Sequence, residues 1–385
     1  MKKEWFFDRY CGQQFVALLE DGRLAEFAAE KEKSGDVVGN IYKGRVMNVL
    51  SGMQAAFIAC GLERNCYLSM EETYTDYSKY DGTMGGTNAQ QLNLKEGDEV
   101  IVAANTYIAT VLGASLNHAT PVFVDATPMH NMDPAKIEAA VTPRTKAVLV
   151  THLYGQACEM GAIMEICRRH GLHVLEDCAQ AHDAEYCGQK VGTFGTMGFF
   201  SFYPTKNLGA FGDAGAILTD DAALRDKLRA LRNYGSVKRY QNDYEGFNSR
   251  LDELQAGLLR VRLSHLDELT AQRRAIAQRY LTEIRNPRIE LPVTAEGCTH
   301  VYHLFVVQTE ERERFMSYLK ENGVGCDVHY PTPPFLAKPY RHLGYTYADF
   351  PETERLYRRI VSIPIFNGMT EDEVDTVIRV VNAYE

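Results

Sequence analysis

The sequence predicts an α/β protein: a mixed, mostly parallel sheet of the main domain, a smaller α+β segment after it and a β-rich piece before it. Three observations carry this. Short apolar runs near residues 99–103, 121–125, 146–151, 172–176, 198–203 and 214–219 alternate with helical patterns, as βαβ units do. Polar side chains crowd the end of one run, in LHVLEDCAQAHDA at 172–184, and open α/β sheets build ligand sites at the carboxyl ends of their strands. A single lysine, Lys206, lies in a turn with Pro204, Asn207 and Gly209 between two strongly apolar runs.

The 385 residues are enough for two domains with a substantial core. A net charge of −10 favours neither nucleic acid nor an anionic membrane. The nine cysteines form no CxxC pairs and no His/Cys ligand spacing, which predicts reduced thiols and no metal site. MKKEWFFDRY is followed by no apolar core of a signal peptide, and no run approaches the roughly 18 apolar residues of a membrane span. A cytoplasmic, soluble protein is expected.

Taken in order, residues 1–85 read as β structure. FVALLEDGRLAEF alternates around a DG turn and predicts a hairpin. Residues 39–70 predict three strands, with turns at Ser51-Gly52 and Gly61-Leu62. Residues 71–97 are polar and glycine-containing, a linker or loop, with 86–97 as the junction. The large domain is placed at 98–260 and the small one at 261–385. Helices are expected over 107–117, 134–141 and 160–170; Asp133 caps the second ahead of Pro134, and Gly171 closes the third. Glycines 192, 195 and 198 precede a strand instead of opening a helix, so they are no dinucleotide fingerprint. Leu251, Leu254, Leu258, Leu259, Val261 and Leu266 have the spacing of one long amphipathic helix linking the domains. The last hundred residues mix strands (300–307, 361–364) with helices (312–322, 371–383).

A lysine in a buried turn is costly unless its amine has a task. Desolvation lowers its pKa and makes it a carbonyl nucleophile. Glu176 and Asp177 together at a buried strand end call for a cationic partner. With these residues, the motifs GDEVIVAANTYIAT, TPVFVDA, VLVTHLYGQ, EDCAQAH, SFYPTKNLGAFGDAGA, GFNSRLDELQAG and VHYPTPP occur in register from about Asp98 onward. The chain here resembles the DegT/DnrJ/EryC1/StrS sugar aminotransferases, pyridoxal 5'-phosphate (PLP) enzymes of fold type I. The resemblance implies a mixed sheet of the seven-stranded type, whose first strand has no clear counterpart in this sequence. It implies PLP held on Lys206, with Asp177 against the pyridine nitrogen, Tyr107 stacked on the ring and Gln180 near the phenolic oxygen. Ser201 matches a phosphate ligand, Asn248 a residue that reaches the cofactor of a neighbouring subunit in a homodimer, and His329 and Tyr330 the substrate side. Taken singly, Tyr107 reads more readily as a core aromatic, Ser201 equally as a backbone-bonded serine and Asn248 as a turn residue. The family has glycine where this chain has Asp183. A dehydratase of the same superfamily has histidine at the lysine position, so Lys206 points to transamination. The implied substrates are an amino-acid donor, usually glutamate, and a keto sugar on a nucleoside diphosphate; SRLDELQAG and HYPTPP look closest to enzymes that make 3-amino sugars.

The N-terminal region resembles the start of the ribonuclease E/G family and its S1 domain, which would make Phe57 and Tyr67 RNA-facing aromatics. Acids outnumber bases across residues 1–85, and the downstream nuclease motifs are missing, so ordinary barrel aromatics are the favoured reading. A fusion with its junction in GDEVIV is expected, and an RNA-binding module is the alternative function. Gly86-Thr87 looks like the family's phosphate turn, but polar TYTDYSKYDGT precedes it and too few residues separate it from the next strand. A chance match is expected, with Ser201 and Asn248 as the main phosphate ligands and weak cofactor binding.

Overall fold

The computed structural model of the chain describes residues 95–385 in full and, before them, the backbone of six strands. Residues 1–79 and 80–385 form two compact units. In the first, β1 (Lys3–Tyr10), β2 (Gln13–Glu20) and β3 (Arg23–Lys31) make an antiparallel meander, with Glu20 opposite Arg23 across the DG turn. A second meander joins β4 (Arg45–Leu50), β5 (Ala55–Ala59) and β6 (Cys66–Ser69), with Phe57 and Tyr67 as register partners. The hairpin and the three-strand reading agree with these; β1 is an addition. Gly86-Thr87 lies outside the described residues.

The second unit is built on β7 (Glu99–Ala103), α1 (Ile108–Ser115), β8 (Thr120–Val124), α2 (Pro134–Ala140), β9 (Thr145–Thr151), α3 (Met160–His170) and β10 (His173–Asp177). The small hairpin β11 (Glu185–Tyr186) and β12 (Gln189–Lys190) leads to β13 (Met197–Ser201) and β14 (Gly215–Leu218). Among the described residues the main sheet has six strands, ordered β14-β13-β10-β9-β7-β8, all parallel except β14. Runs buried on both faces explain the near-continuous apolar sequence of β7 and β9. Asp133 caps α2 by accepting from the Ala135 N–H, and Gly171, at φ 64°, ends α3 in the left-handed conformation.

After β14 come α4 (Ala222–Leu231), the ribbon β15 (Ser236–Lys238) and β16 (Gln241–Asn242), then α5 (Glu253–Leu263) and α6 (Leu266–Glu283). The single long helix expected here is two. The Ser264 hydroxyl folds back onto the Val261 carbonyl, and His265 leaves helical geometry at φ −112°, ψ 10°. The leucine stripe also turns the other way: Leu259 is buried, whereas Leu254 and Val261 are 70% and 62% exposed. The small domain pairs β17 (Phe305–Gln308) with β18 (Ile360–Ile363), flanked by α7 (Arg312–Glu321), α8 (Pro351–Arg359) and α9 (Glu371–Asn382). Phe305, Phe315, Val361, Val377 and Val381 form its core. Phe335, Tyr340 and Phe350 pack instead against Phe123 of the main sheet.

One polar latch joins the two layers. Asp125, just beyond β8, accepts from the backbone N–H groups of Glu352 (3.0 Å) and Thr353 (2.8 Å) and from the Thr353 hydroxyl (2.7 Å). A carboxylate at the start of α8 satisfies free helix donors and complements their dipole.

Candidate active site

The site lies where β10 and β13 end side by side. Side chains alternate along a strand, so Glu176 and Asp177 at the end of β10 face opposite ways. Glu176 is fully buried and accepts from the N–H groups of Gly192 (2.7 Å), Phe194 (2.8 Å) and Gly195 (2.7 Å), and bonds His152 at 3.2 Å. Backbone donors, in place of the cation expected from the paired carboxylates, account for it. His152 Nδ1 accepts from the Cys158 N–H at 3.0 Å, so its proton sits on Nε2 and points at Glu176. Cys178 lies in the same cluster, the three ligand atoms within 4.8 Å of one another. Burial raises the Cys178 thiol well above its usual range, with Glu176 adding to the effect. The cluster therefore braces the 192–195 turn, and its carboxylate is already committed to four partners.

Asp177 faces the cavity. Its Oδ1 accepts from the Ala179 N–H at 3.0 Å and its Oδ2 from the Thr110 hydroxyl at 2.6 Å. Asp177, Thr110 and Ser201 line one cavity of about 220 Å3, whose walls are otherwise mainly apolar. Ser201, half-buried at the end of β13, accepts from the Tyr203 N–H at 3.3 Å.

Lys206 sits on the turn between β13 and β14. Gly209 makes that turn possible: a Cβ there would lie 2.3 Å from the Pro204 carbonyl oxygen. Asn207 anchors it, donating to the Val301 carbonyl at 3.0 Å and bonding His303 Nδ1 at 3.2 Å through Oδ1. Leu208 and Ala210 bury against Leu259. Burial lowers the Lys206 pKa, against the upward pull of Asp177. Beneath it His182 is held near pKa 4 by burial and by the Lys206 charge, its ring between Phe200 and Phe202.

The opposite wall is aromatic. Tyr107, half-exposed at the start of α1, lies 4.7 Å from the Tyr330 ring, centroid to centroid. Gln180 is buried between two commitments: Oε1 accepts from the Tyr154 N–H at 2.6 Å, and Nε2 bonds the Tyr330 hydroxyl at 2.8 Å. The Tyr154 hydroxyl donates to the His329 carbonyl, and His329 Nδ1 pairs with Ser362 at 2.8 Å. Burial lowers the His329 pKa.

Asp177 and Ser201 line the cavity itself; around it, Lys206 is within electrostatic reach of Asp177 and His329, and Tyr330 of Asp177, with Tyr107 and Gln180 against Tyr330. Asn248 does not line that cavity; it is exposed, and its Oδ1 accepts from Arg250 at 3.0 Å. Asp183, the departure from glycine, takes φ 72°. Aspartate tolerates the left-handed region better than most residues, and Lys190 pairs with its carboxylate. Thr110, Thr106, Thr151, Asn207 and Tyr154 were not singled out by sequence. The four-residue spacing of Thr106 and Thr110 is the one signal that could have drawn them in.

The donor set suits PLP: a desolvated amine, a carboxylate held by two donors in a mainly apolar cavity with the Thr110 and Ser201 hydroxyls, and flat aromatic rings nearby. The profile described as "DegT/DnrJ/EryC1/StrS aminotransferase family" matches residues 82–382. The chain is 50% identical over 289 residues to the "dTDP-3-amino-3,6-dideoxy-alpha-D-galactopyranose transaminase" of Aneurinibacillus thermoaerophilus, covering 75% of this chain and 79% of that one. The solved structure "X-ray crystal structure of S. venezuelae DesV in complex with ketimine intermediate" superposes with TM-score 0.75 at 44% identity, covering 77% and 80% of the two chains. That of "ntda from bacillus subtilis with bound cofactor pmp" gives TM-score 0.70 at 33% identity, covering 77% and 69%.

Proposed function

This chain belongs to the DegT/DnrJ/EryC1/StrS aminotransferase family, and on that premise we propose how its residues carry out the transfer of an amino group to a nucleotide-linked keto sugar. The enzyme is a PLP-dependent transaminase. The observation that carries the reading is Lys206: a half-buried amine with a lowered pKa, under the influence of Asp177, on a turn pinned by Asn207. When bound, PLP supplies the carbonyl that accepts the donor's nitrogen and the conjugated ring that accommodates the electron pair left by Cα–H cleavage. Lys206 Nζ would hold the cofactor and, once displaced by the donor, would take the Cα proton. The Asp177 carboxylate, oriented by Thr110 and Ala179, would lie against the ring nitrogen and favour its protonated form. Tyr107 and Tyr330 keep water from one side of the site, and His329 with Tyr330 faces the sugar.

The acceptor in our reading is a sugar with its ketone at C3, the donor glutamate, and the compartment the cytoplasm. Support for the acceptor comes from the named activity of the 50% identical relative; for the compartment, from the six free cysteines among the described residues and from the lack, among them, of a helix long and apolar enough to cross a membrane. The S1-like, RNA-binding alternative gains no support from these likenesses.

We also place the enzyme in a homodimer. Leu254, Leu258, Val261 and Leu263 expose an apolar stripe on α5, Phe211 is 75% exposed, and Asn248 is exposed outside the cavity of its own chain. Glutamate and a nucleoside-diphosphate 3-keto sugar should yield 2-oxoglutarate and the 3-amino sugar. Inactive Lys206→Ala and Asn248→Ala chains, mixed, should regain part of the activity. No product with any 3-keto acceptor would overturn the substrate reading, and no recovery on mixing would overturn the shared site.

A further inference from the structure

Behind Asp177 stand three buried threonines: Thr106, Thr110 and Thr151. Thr151 Oγ1 lies 2.8 Å from Thr106 Oγ1, Thr106 lies 3.0 Å from Thr110, and Thr110 lies 2.6 Å from Asp177 Oδ2. The direct Thr151–Thr110 contact is longer, 3.5 Å. They come from three places, the loop after β7, the first turn of α1 and the end of β9, brought together by the β7–β9–β10 order of the sheet.

The proton count orders these contacts. An ionised carboxylate only accepts, so the one Thr110 proton is committed to Asp177. Thr110 must then accept, and its nearer donor is Thr106. Thr106, having given its proton to Thr110, accepts from Thr151. Three hydroxyls supply three protons to three acceptors, in the single direction Thr151 to Thr106 to Thr110 to Asp177. Such a chain is polarised along its length, each bond strengthening the next.

We infer that Thr106, Thr110 and Thr151 form a one-way hydroxyl relay that positions the Asp177 carboxylate, as an acceptor, for the cofactor's ring nitrogen. They are positioning residues; none needs to touch the cofactor. The inference rests on the reading of Asp177 given above.

The test is a PLP titration of the full-length apoprotein, following the visible band of the bound cofactor and its pH dependence. Thr110→Val removes the donor to a charged acceptor and should weaken PLP binding about tenfold, and shift the pH midpoint of the band. Thr110→Ser, which keeps the hydroxyl, should bind within about twofold of the parent, and Thr106→Val, one bond further back, should lose about threefold. In an Asp177→Asn background, Thr110→Val should change binding less than about twofold, because the charge it serves is gone. Parental binding by Thr110→Val, with Asp177→Asn weakened, would overturn the relay alone. An equal loss in both backgrounds would assign the threonines to packing and overturn it too. If Asp177→Asn binds as the parent does, the assignment of Asp177 has failed first and the relay falls with it. Should Thr110→Val not fold, Thr106→Val in the two backgrounds decides by the same comparison.

Discussion

Strands β10 and β14 stand two places apart in one sheet, yet they hold their functional groups differently. The middle residues of β10 are buried, and both carboxylates at its end are fixed by donors from the surrounding core. Strand β14 is half-buried to exposed along its length, pairs on one side only among the described residues, and follows a turn tied down chiefly by Asn207. The acid of the site is therefore set in a rigid bed, and the amine is carried on a tethered arm. In the proposed roles, a carboxylate set against a ring nitrogen has one correct place, whereas a lysine meant to hold a cofactor, release it and collect a proton has to move.

The contrast can be broken in several places. The largest effect belongs to the arm's single reactive group: Lys206→Ala should lower turnover by about 10⁴-fold or more, and borohydride should then trap no pyridoxyl group on the Pro204–Gly209 peptide. In the parent that peptide should carry the label, and cofactor capture should accelerate with pH about a midpoint below the ordinary lysine value of 10.5. Label on another lysine would remove Lys206 from the scheme. In the bed, Asp177→Ala should still take cofactor onto Lys206, at higher PLP concentration than the parent, but lose about 10²–10³-fold in turnover at saturating PLP, the usual scale of a lost preorganised charge. Unchanged turnover would mean that the bed is only structural.

Glu176→Gln tests the bed's stability. Removing a buried, four-fold-bonded carboxylate should cost about 2–4 kcal/mol in denaturant unfolding. Burial raises the Glu176 pKa, but the His152 bond and the Gly195 and Gly192 N–H groups outweigh it, leaving the folded value below 4.5. Its contribution is thus complete above the unfolded pKa and is lost as pH falls through the folded one. The parent should show this acid loss and Glu176→Gln a shallower one; identical profiles would count against it. The smallest effect should come from the tether: Asn207→Ala should cost about 1–2 kcal/mol of stability and slow cofactor capture more than it weakens Asp177-dependent steps.

The same contrast sets what could be read from residues alone. The strands of the main sheet were legible to within a residue or two, because each is a short apolar run punctuated by Gly, Pro or polar turns. Lys206 and Asp177 stood out as charges where apolar side chains belong. The break at Ser264–His265 did not, since neither Gly nor Pro marks it and leucine spacing reports a face without saying which way it turns. The threonine row was hidden because Thr106 and Thr151 are 45 residues apart and meet only through strand order. Gln180 was read towards the cofactor from its place in the motif; what fixes it, a Tyr154 N–H on one side and a Tyr330 hydroxyl on the other, comes from distant segments.

The Asp125 latch reaches further than its own helix. α8 runs directly into β18, and Ser362 of that strand holds the His329 ring. Three bonds made beside the outer strand of the main sheet therefore set the standing of the wall opposite the lysine. The arrangement works as a buckle on a strap: α8 and the strand that follows it cannot slacken without unfastening it. Heat should accordingly melt the main sheet and the C-terminal layer in a single calorimetric endotherm, and undoing the buckle with Asp125→Ala should split that peak in two.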